Sequence, residues 1–223
     1  MHILIPLWFN LKMNKTPLKL TRFIITLILV CPVMAVFAQG VRLDNSQQFK
    51  AFDKALNKSG IAFTFPTGFK EIKAVNNREF NFNYALELPE KDFEIWLRVN
   101  SLKENKELLK DNKLRMPVDS AYSYIIKQQA VAFSNDNDWL TRPIPNYILT
   151  RYNADVGKTY LLNLKDSPIT KHYRYALMIV LAKYNTGSVF AICLSNNKGP
   201  EFFRNMFEAS NCLKFKSSEK AEK

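Results

Sequence analysis

The stretch from Tyr173 to Ser195 restricts the fold more than any other part of the chain. Tyr173, Tyr175, Leu177, Ile179 and Leu181 alternate with Ala176, Met178, Val180 and Ala182. After Asn185-Thr186-Gly187 the alternation resumes, with Val189, Ala191 and Cys193 opposing Phe190, Ile192 and Leu194. A strand with one wet face alternates apolar with polar, whereas apolar residues on both faces require cover on both. The intervening triplet supplies a tight turn, with Gly187 free to adopt a positive φ. The segment therefore predicts the middle of a sheet held between two other layers.

The rest of the chain supplies those layers. Residues 39–60 place Phe49, Phe52 and Leu56 at helical spacing and end at Gly60, which predicts an N-terminal arm or short helix. Ile61 to Phe65 reads as a strand stopped by Pro66-Thr67-Gly68. Phe80, Phe82, Tyr84, Leu86 and Leu88, a turn at Pro89–Asp92, and Phe93, Ile95, Leu97 and Val99 predict an antiparallel hairpin. Its second face is expected to be polar, carrying Glu87, Glu94 and Arg98. Trp96 is the exception on that face, and packing under a helix suits it better than a role as an exposed binding hot spot.

Leu102 to Lys113 is charged and reads as a short exposed helix or loop. Pro117 opens a firmer helix to Phe133, with Val118, Tyr122, Ile125, Gln129 and Ala132 in one stripe. Residues 135–146 read as an irregular connection. Strands are expected at Tyr147 to Ala154 and Thr159 to Leu164. A helix follows from Pro200 to Ser210, with Phe202, Phe203, Met206 and Phe207 facing inward, then a final strand Cys212 to Phe215. Strands with helices to cover both faces give an α+β fold, an antiparallel sheet in an α/β/α sandwich, forming a single domain over residues 61–216. Residues 217–223 read as a frayed tail.

At the other end, the chain from Met13, an alternative start, gives a short basic lead followed by Phe23 to Ala38, apolar and uncharged. Small residues at Val36-Phe37-Ala38 complete a secretory signal over residues 1–38, with Gln39 as the mature N-terminus. Sixteen residues broken by Pro32 are short of the ~20 a membrane span needs, so no stable transmembrane anchor is expected after cleavage. Retention as an uncleaved anchor is the alternative. Cys31 lacks the small preceding residue of a lipoprotein site. The formal net charge of +12 falls to +8 once Lys12, Lys15, Lys19 and Arg22 leave with the signal. That suits an anionic envelope component or an acidic protein as partner, although scattered charge also serves solubility. No stripe of Arg and aromatic residues points to nucleic acid.

The strand ending in Phe65-Pro66-Thr67-Gly68-Phe69 opens a sequence of hairpin, long helix, antiparallel meander with a doubly buried pair, helix and short strand. This order, over Ile61 to Phe215, resembles the PsbP-like superfamily, which includes DcrB-like envelope proteins. The resemblance implies a fold whose members mostly bind or stabilise larger assemblies. It carries over no functional residue.

Motifs for chemistry are sparse. The segment after the signal holds a single histidine, His172, among cationic neighbours and without a nucleophile elbow. Cys193, Cys212 and His172 lack the close ligand pairs of a zinc site. Asn135-Asp136-Asn137-Asp138 lacks the Gly and distal Glu of a calcium loop, and reads as a turn cluster. The glycines are too scattered to cradle phosphate, and no cofactor is implied. Cys193 and Cys212 form a possible disulfide in an oxidising compartment, or serve as small buried hydrophobes.

Two functions follow. One is an exported, non-enzymatic binding or scaffold protein. It would engage an envelope partner through the 135–146 loop, with Asp136, Asp138 and Trp139, and a basic rim of Arg142, Arg151, Lys171 and Arg174. The other is a hydrolase acting on an envelope polymer through paired carboxylates, for which Glu87 and Glu94 are the candidates. The absence of any complete catalytic motif favours the first. Oligomeric state and partner identity are open at this level.

Overall fold

The computed structural model describes residues 46–217 other than residue 78, with the backbone alone for residues 135–138. All belong to one compact unit spanning Leu43–Lys223. The expected signal, and the tail from residue 218, lie outside the described residues.

Seven strands form one antiparallel sheet. They are β2 (Lys70–Ile72), β3 (Tyr84–Glu87), β4 (Glu94–Ser101), β5 (Ser134–Pro143), β6 (Val156–Leu164), β7 (Tyr175–Lys183) and β8 (Gly187–Ser195). Their order across the sheet is β2-β3-β4-β8-β7-β6-β5, and every pairing is antiparallel. A separate two-stranded sheet joins β1 (Ile61–Phe63) to β9 (Leu213–Phe215). The helices are α1 (Gln47–Lys58), α2 (Leu102–Asp111), α3 (Ala121–Phe133), α4 (Asn146–Tyr152) and α5 (Pro200–Ser210), with 3₁₀ turns at Val118–Ser120, leading into α3, and at Pro168–Thr170.

The doubly apolar hairpin is the centre of this sheet. All nine residues of β8 are buried, as is β7 apart from its two ends. Leu177, Ile179 and Leu181 join Val189, Ala191 and Cys193 in one core, which α1, α4 and α5 cover through Phe52, Leu56, Leu149, Tyr152, Phe202 and Ala209. Met178, Val180, Phe190, Ile192 and Leu194 belong to a second core on the opposite face, covered by Ile126, Ala130 and Phe133 of α3. The result is a three-layer α+β sandwich. At the turn, Asn185 takes the left-handed conformation with φ of 55°. Gly187 is needed because a Cβ there would sit 2.4 Å from the Asn100 carbonyl oxygen of the adjacent strand.

Five expectations are corrected. The β3–β4 hairpin has no wet face, since Ala85, Glu94 and Trp96 are buried beneath α3. Phe80 and Phe82 precede β3 in a bend where Asn77 Oδ1 accepts from the amides of Glu79 and Phe80, and both rings enter the α3 core. The 135–146 connection is a strand, β5, paired along β6 with a register shift between Ser134 and Trp139. Tyr147 to Ala154 is a helix followed by a turn, where β-branched and aromatic residues suggested a strand. Helical spacing puts Ile148, Leu149 and Tyr152 on one inward face, and Pro145 starts the helix. Asn153 ends it at φ 52°, and its amide donates to the carbonyls of Phe215 and Lys216. Finally, only Phe202 of the α5 phenylalanines is buried: Phe203 and Phe207 are 41% and 45% exposed.

Candidate functional site

The seven residues singled out from the sequence do not form one surface. Asp136 and Asp138 have side chains outside the described residues. Trp139 and Arg142 both lie on β5 but three positions apart, so they face opposite sides of the sheet. Trp139 packs against the α3 core, its ring centroid 6.1 Å from that of Tyr160. Arg142 shares the other face with Ile144 and looks towards α4 and α5. Arg151, in the last turn of α4, lines the same groove as Arg142.

Lys171 and Arg174 lie elsewhere. Arg142 stands opposite Thr159 of β6, whereas the Arg174 carbonyl accepts from Leu164 of that strand. Five residues of strand separate the two levels, roughly 16 Å at the usual rise. Lys171 Nζ reaches across to Glu94 Oε1 at 2.6 Å on the α3 face. The basic rim is therefore two separate features.

Glu94 accounts for the second. It is 4% exposed, yet both oxygens are satisfied: Oε2 accepts from the Trp96 indole at 2.9 Å, and Oε1 accepts from Lys171 and, at 3.3 Å, from the Tyr173 hydroxyl. Burial, with the nearby Glu94 charge, pushes the Tyr173 phenol well above its usual range. Glu87 stands opposite Glu94 in register. Glu94 is thus a carboxylate locked by three donors, an arrangement that fixes strand and turn. His172 pairs through Nδ1 with Asp166 Oδ1 at 2.6 Å in the open. Among the described residues no group of three or more His, Cys, Asp or Glu converges as a metal site would require. Cys193 and Cys212 are two buried free thiols, and burial pushes both upward, Cys212 to about 12.

The first feature is a groove of about 290 Å³ between β5, α4 and α5. Its walls are Ile144, Pro145, Ile148, Leu177, Ile179, Met206 and Phe207. Among its lining residues the buried hydroxyls of Tyr152 and Ser210 lie 3.0 Å apart, and the Ser210 hydroxyl donates to the Phe207 carbonyl at 3.2 Å. Arg142, Arg151 and Thr159 also line it, and no acidic residue does among those described. The Arg151 guanidinium lies 4.9 Å from the centroid of the Phe207 ring, a cation–π contact at the apolar wall. Among the described residues neither arginine is paired with a carboxylate.

Local sequence explains the groove. Pro143 and Pro145 end β5 and start α4 within three residues, and Ile144 between them donates its amide to the Gly157 carbonyl at 3.0 Å. A Cβ at Gly157 would meet the Ile144 Cδ1 at 2.9 Å and the Val180 carbonyl at 2.8 Å, so this glycine lets Ile144 settle onto the sheet. With seven residues, α4 is too short to cover the edge strands, and α5 turns Phe207 only partly inward. Leu140, on the same face of β5, is 54% exposed beside it. Sequence reasoning missed Ile144, Ile148 and Met206 as site residues. The helical spacing of Ile148 and Tyr152 after a proline was the available signal.

No protein-family model matches the chain. A search of curated proteins also finds no match. Among solved structures it is similar to the solution structure of cyanobacterial PsbP (CyanoP) from Synechocystis sp. PCC 6803, with 15% sequence identity and a TM-score of 0.37. The match covers 71% of this chain and 88% of that one. It is a weak structural resemblance to a PsbP-like protein.

Proposed function

We propose that this is an exported, non-enzymatic binding protein whose contact surface is the apolar groove between β5, α4 and α5. The observation that carries this reading is the pair of guanidinium groups, Arg142 and Arg151, standing unpaired among the described residues beside an apolar recess. Concave apolar sites with few convergent polar groups are the usual form of a binding pocket. Uncompensated cations at the mouth select for negative charge. The partner is thus an anionic envelope component that also presents apolar surface. Export rests on the basic lead and the apolar Phe23 to Ala38. The proposed contact surface includes Arg142 and Arg151 and leaves out Lys171 and Trp139. Among the described residues no helix is long and apolar enough to cross a membrane.

The test is capture from solubilised envelopes of the cells that make the protein. Arg142→Glu should abolish the capture seen with the unaltered chain, and Trp139→Ala, on the other face, should leave it intact. Equal capture by the unaltered chain and Arg142→Glu would overturn the groove as the contact surface.

A further inference from the structure

The chemistry of the groove narrows the ligand, an inference that rests on the binding reading above. We propose that it takes a single-chain fatty-acid carboxylate, with the alkyl chain on Ile144, Ile148, Ile179 and Met206 and the carboxylate at Arg142 and Arg151. The cavity of about 290 Å³ sits near the lower end of the ~300–1,000 Å³ of small-molecule sites, which suits one alkyl chain. Among the described residues, the only charged groups lining it are the two arginines, whose planar forks match a carboxylate. Arg151 lies against the Phe207 ring, itself a wall of the groove, so positive charge abuts apolar surface directly. A ligand matching that layout carries its anion at the end of the chain, with no glycerol or sugar between. The Tyr152 and Ser210 hydroxyls are already engaged, with each other and with the Phe207 carbonyl, so they ask nothing polar of the ligand tail.

Calorimetric titration of the full mature chain with sodium octanoate, decanoate and laurate, each below its micellar concentration, tests this. Each buried methylene strengthens binding roughly fourfold, so affinity should rise about tenfold or more per two carbons until the groove is filled. Laurate should bind one to one, and more tightly than either dodecyl maltoside or lauroyl lysophosphatidylglycerol. The double variant Arg142→Gln, Arg151→Gln should weaken laurate at least tenfold with an unchanged thermal midpoint. Absence of saturable laurate binding, a flat chain-length series, equal binding by the double variant, or tighter binding of either comparison amphiphile would overturn the assignment. Failure here together with Arg142-dependent envelope capture removes the ligand class alone. Capture that ignores Arg142 removes the binding reading beneath it.

Discussion

The two faces of one sheet are finished differently. On the α3 face, Trp96, Phe82, Phe133 and Phe190 interlock, with Trp96 5.4 Å from Phe82 and 6.3 Å from Phe133 between ring centroids. Glu94, the one acid buried there among the described residues, has both carboxylate oxygens hydrogen-bonded from within the fold. The opposite face is as tight at its β3 end, where Phe52 stacks on Tyr84 at 4.7 Å. It loosens towards β5, where a seven-residue helix and a half-exposed Phe207 leave apolar wall uncovered beside two arginines that are unpaired among the described residues. The Glu94 carboxylate on the first face is consumed by folding, whereas Arg142 and Arg151 on the second pair with no carboxylate among the described residues.

The largest effect expected is on the closed face. Trp96→Ala should cost about 3–5 kcal/mol, from lost aromatic packing and from removing a donor to buried Glu94. Urea unfolding would measure it, and a loss under 1 kcal/mol would show that this face is less filled than its geometry states. Next, Gly157→Ala forces a Cβ against Ile144 and the Val180 carbonyl and should cost roughly 1–3 kcal/mol. It should also weaken laurate binding, whereas Trp96→Ala should not do so in the molecules that remain folded.

Lys171→Met leaves Glu94 with two donors and should destabilise by roughly 1–2 kcal/mol, a figure reduced because the lysine is half-exposed. Envelope capture should be unaffected. If capture were lost, the α3 face would carry function as well as structure.

Alkaline pH gives a fourth effect, one that grows as the pH rises. Cys193 and Cys212 keep their protons in the folded state well above the ordinary thiol value of 9.0, Cys212 up to about 12. Below pH 9 both states are protonated and no penalty arises. Above it the unfolded chain loses protons that the folded chain retains, so stability falls as pH rises from about 9 towards 12. Buried Tyr84, also shifted upward, adds to the same slope. The pair Cys193→Ala, Cys212→Ala should flatten the fall, read as the urea midpoint against pH. An unchanged slope would mean that the thiols titrate freely.

Much of this architecture was legible because doubly apolar strands have few solutions. Leu177 to Leu181 and Val189 to Leu194 declared covered faces, and the helices needed to cover them were readable from Phe52, Ile125 and Phe202. The packing of Trp96 beneath a helix also followed, from the second covering layer that such strands require. Glu94 did not follow, because its burial depends on Lys171 and Tyr173, both more than seventy residues away. Residues 135–154 mislead for a local reason. Asn and Asp usually mark turns, yet pairing with β6 holds Trp139 to Pro143 extended. Tyr147 to Tyr152 has strand-favouring residues, but contacts made by Leu149 and Tyr152 with the core select the helix. The basic rim was half legible: charge and exposure can be read in sequence, but which face of the sheet each arginine or lysine occupies depends on register.

The central claim is that one face of this sheet meets a partner and the other does not. Photo-crosslinking in living cells tests it directly, with a benzophenone amino acid placed at Leu140 beside the groove or at Val131, which is exposed on α3. A specific adduct at position 140, abolished by adding Arg142→Glu and absent at position 131, is the predicted result. Adducts at position 131 with none at position 140 would contradict the claim.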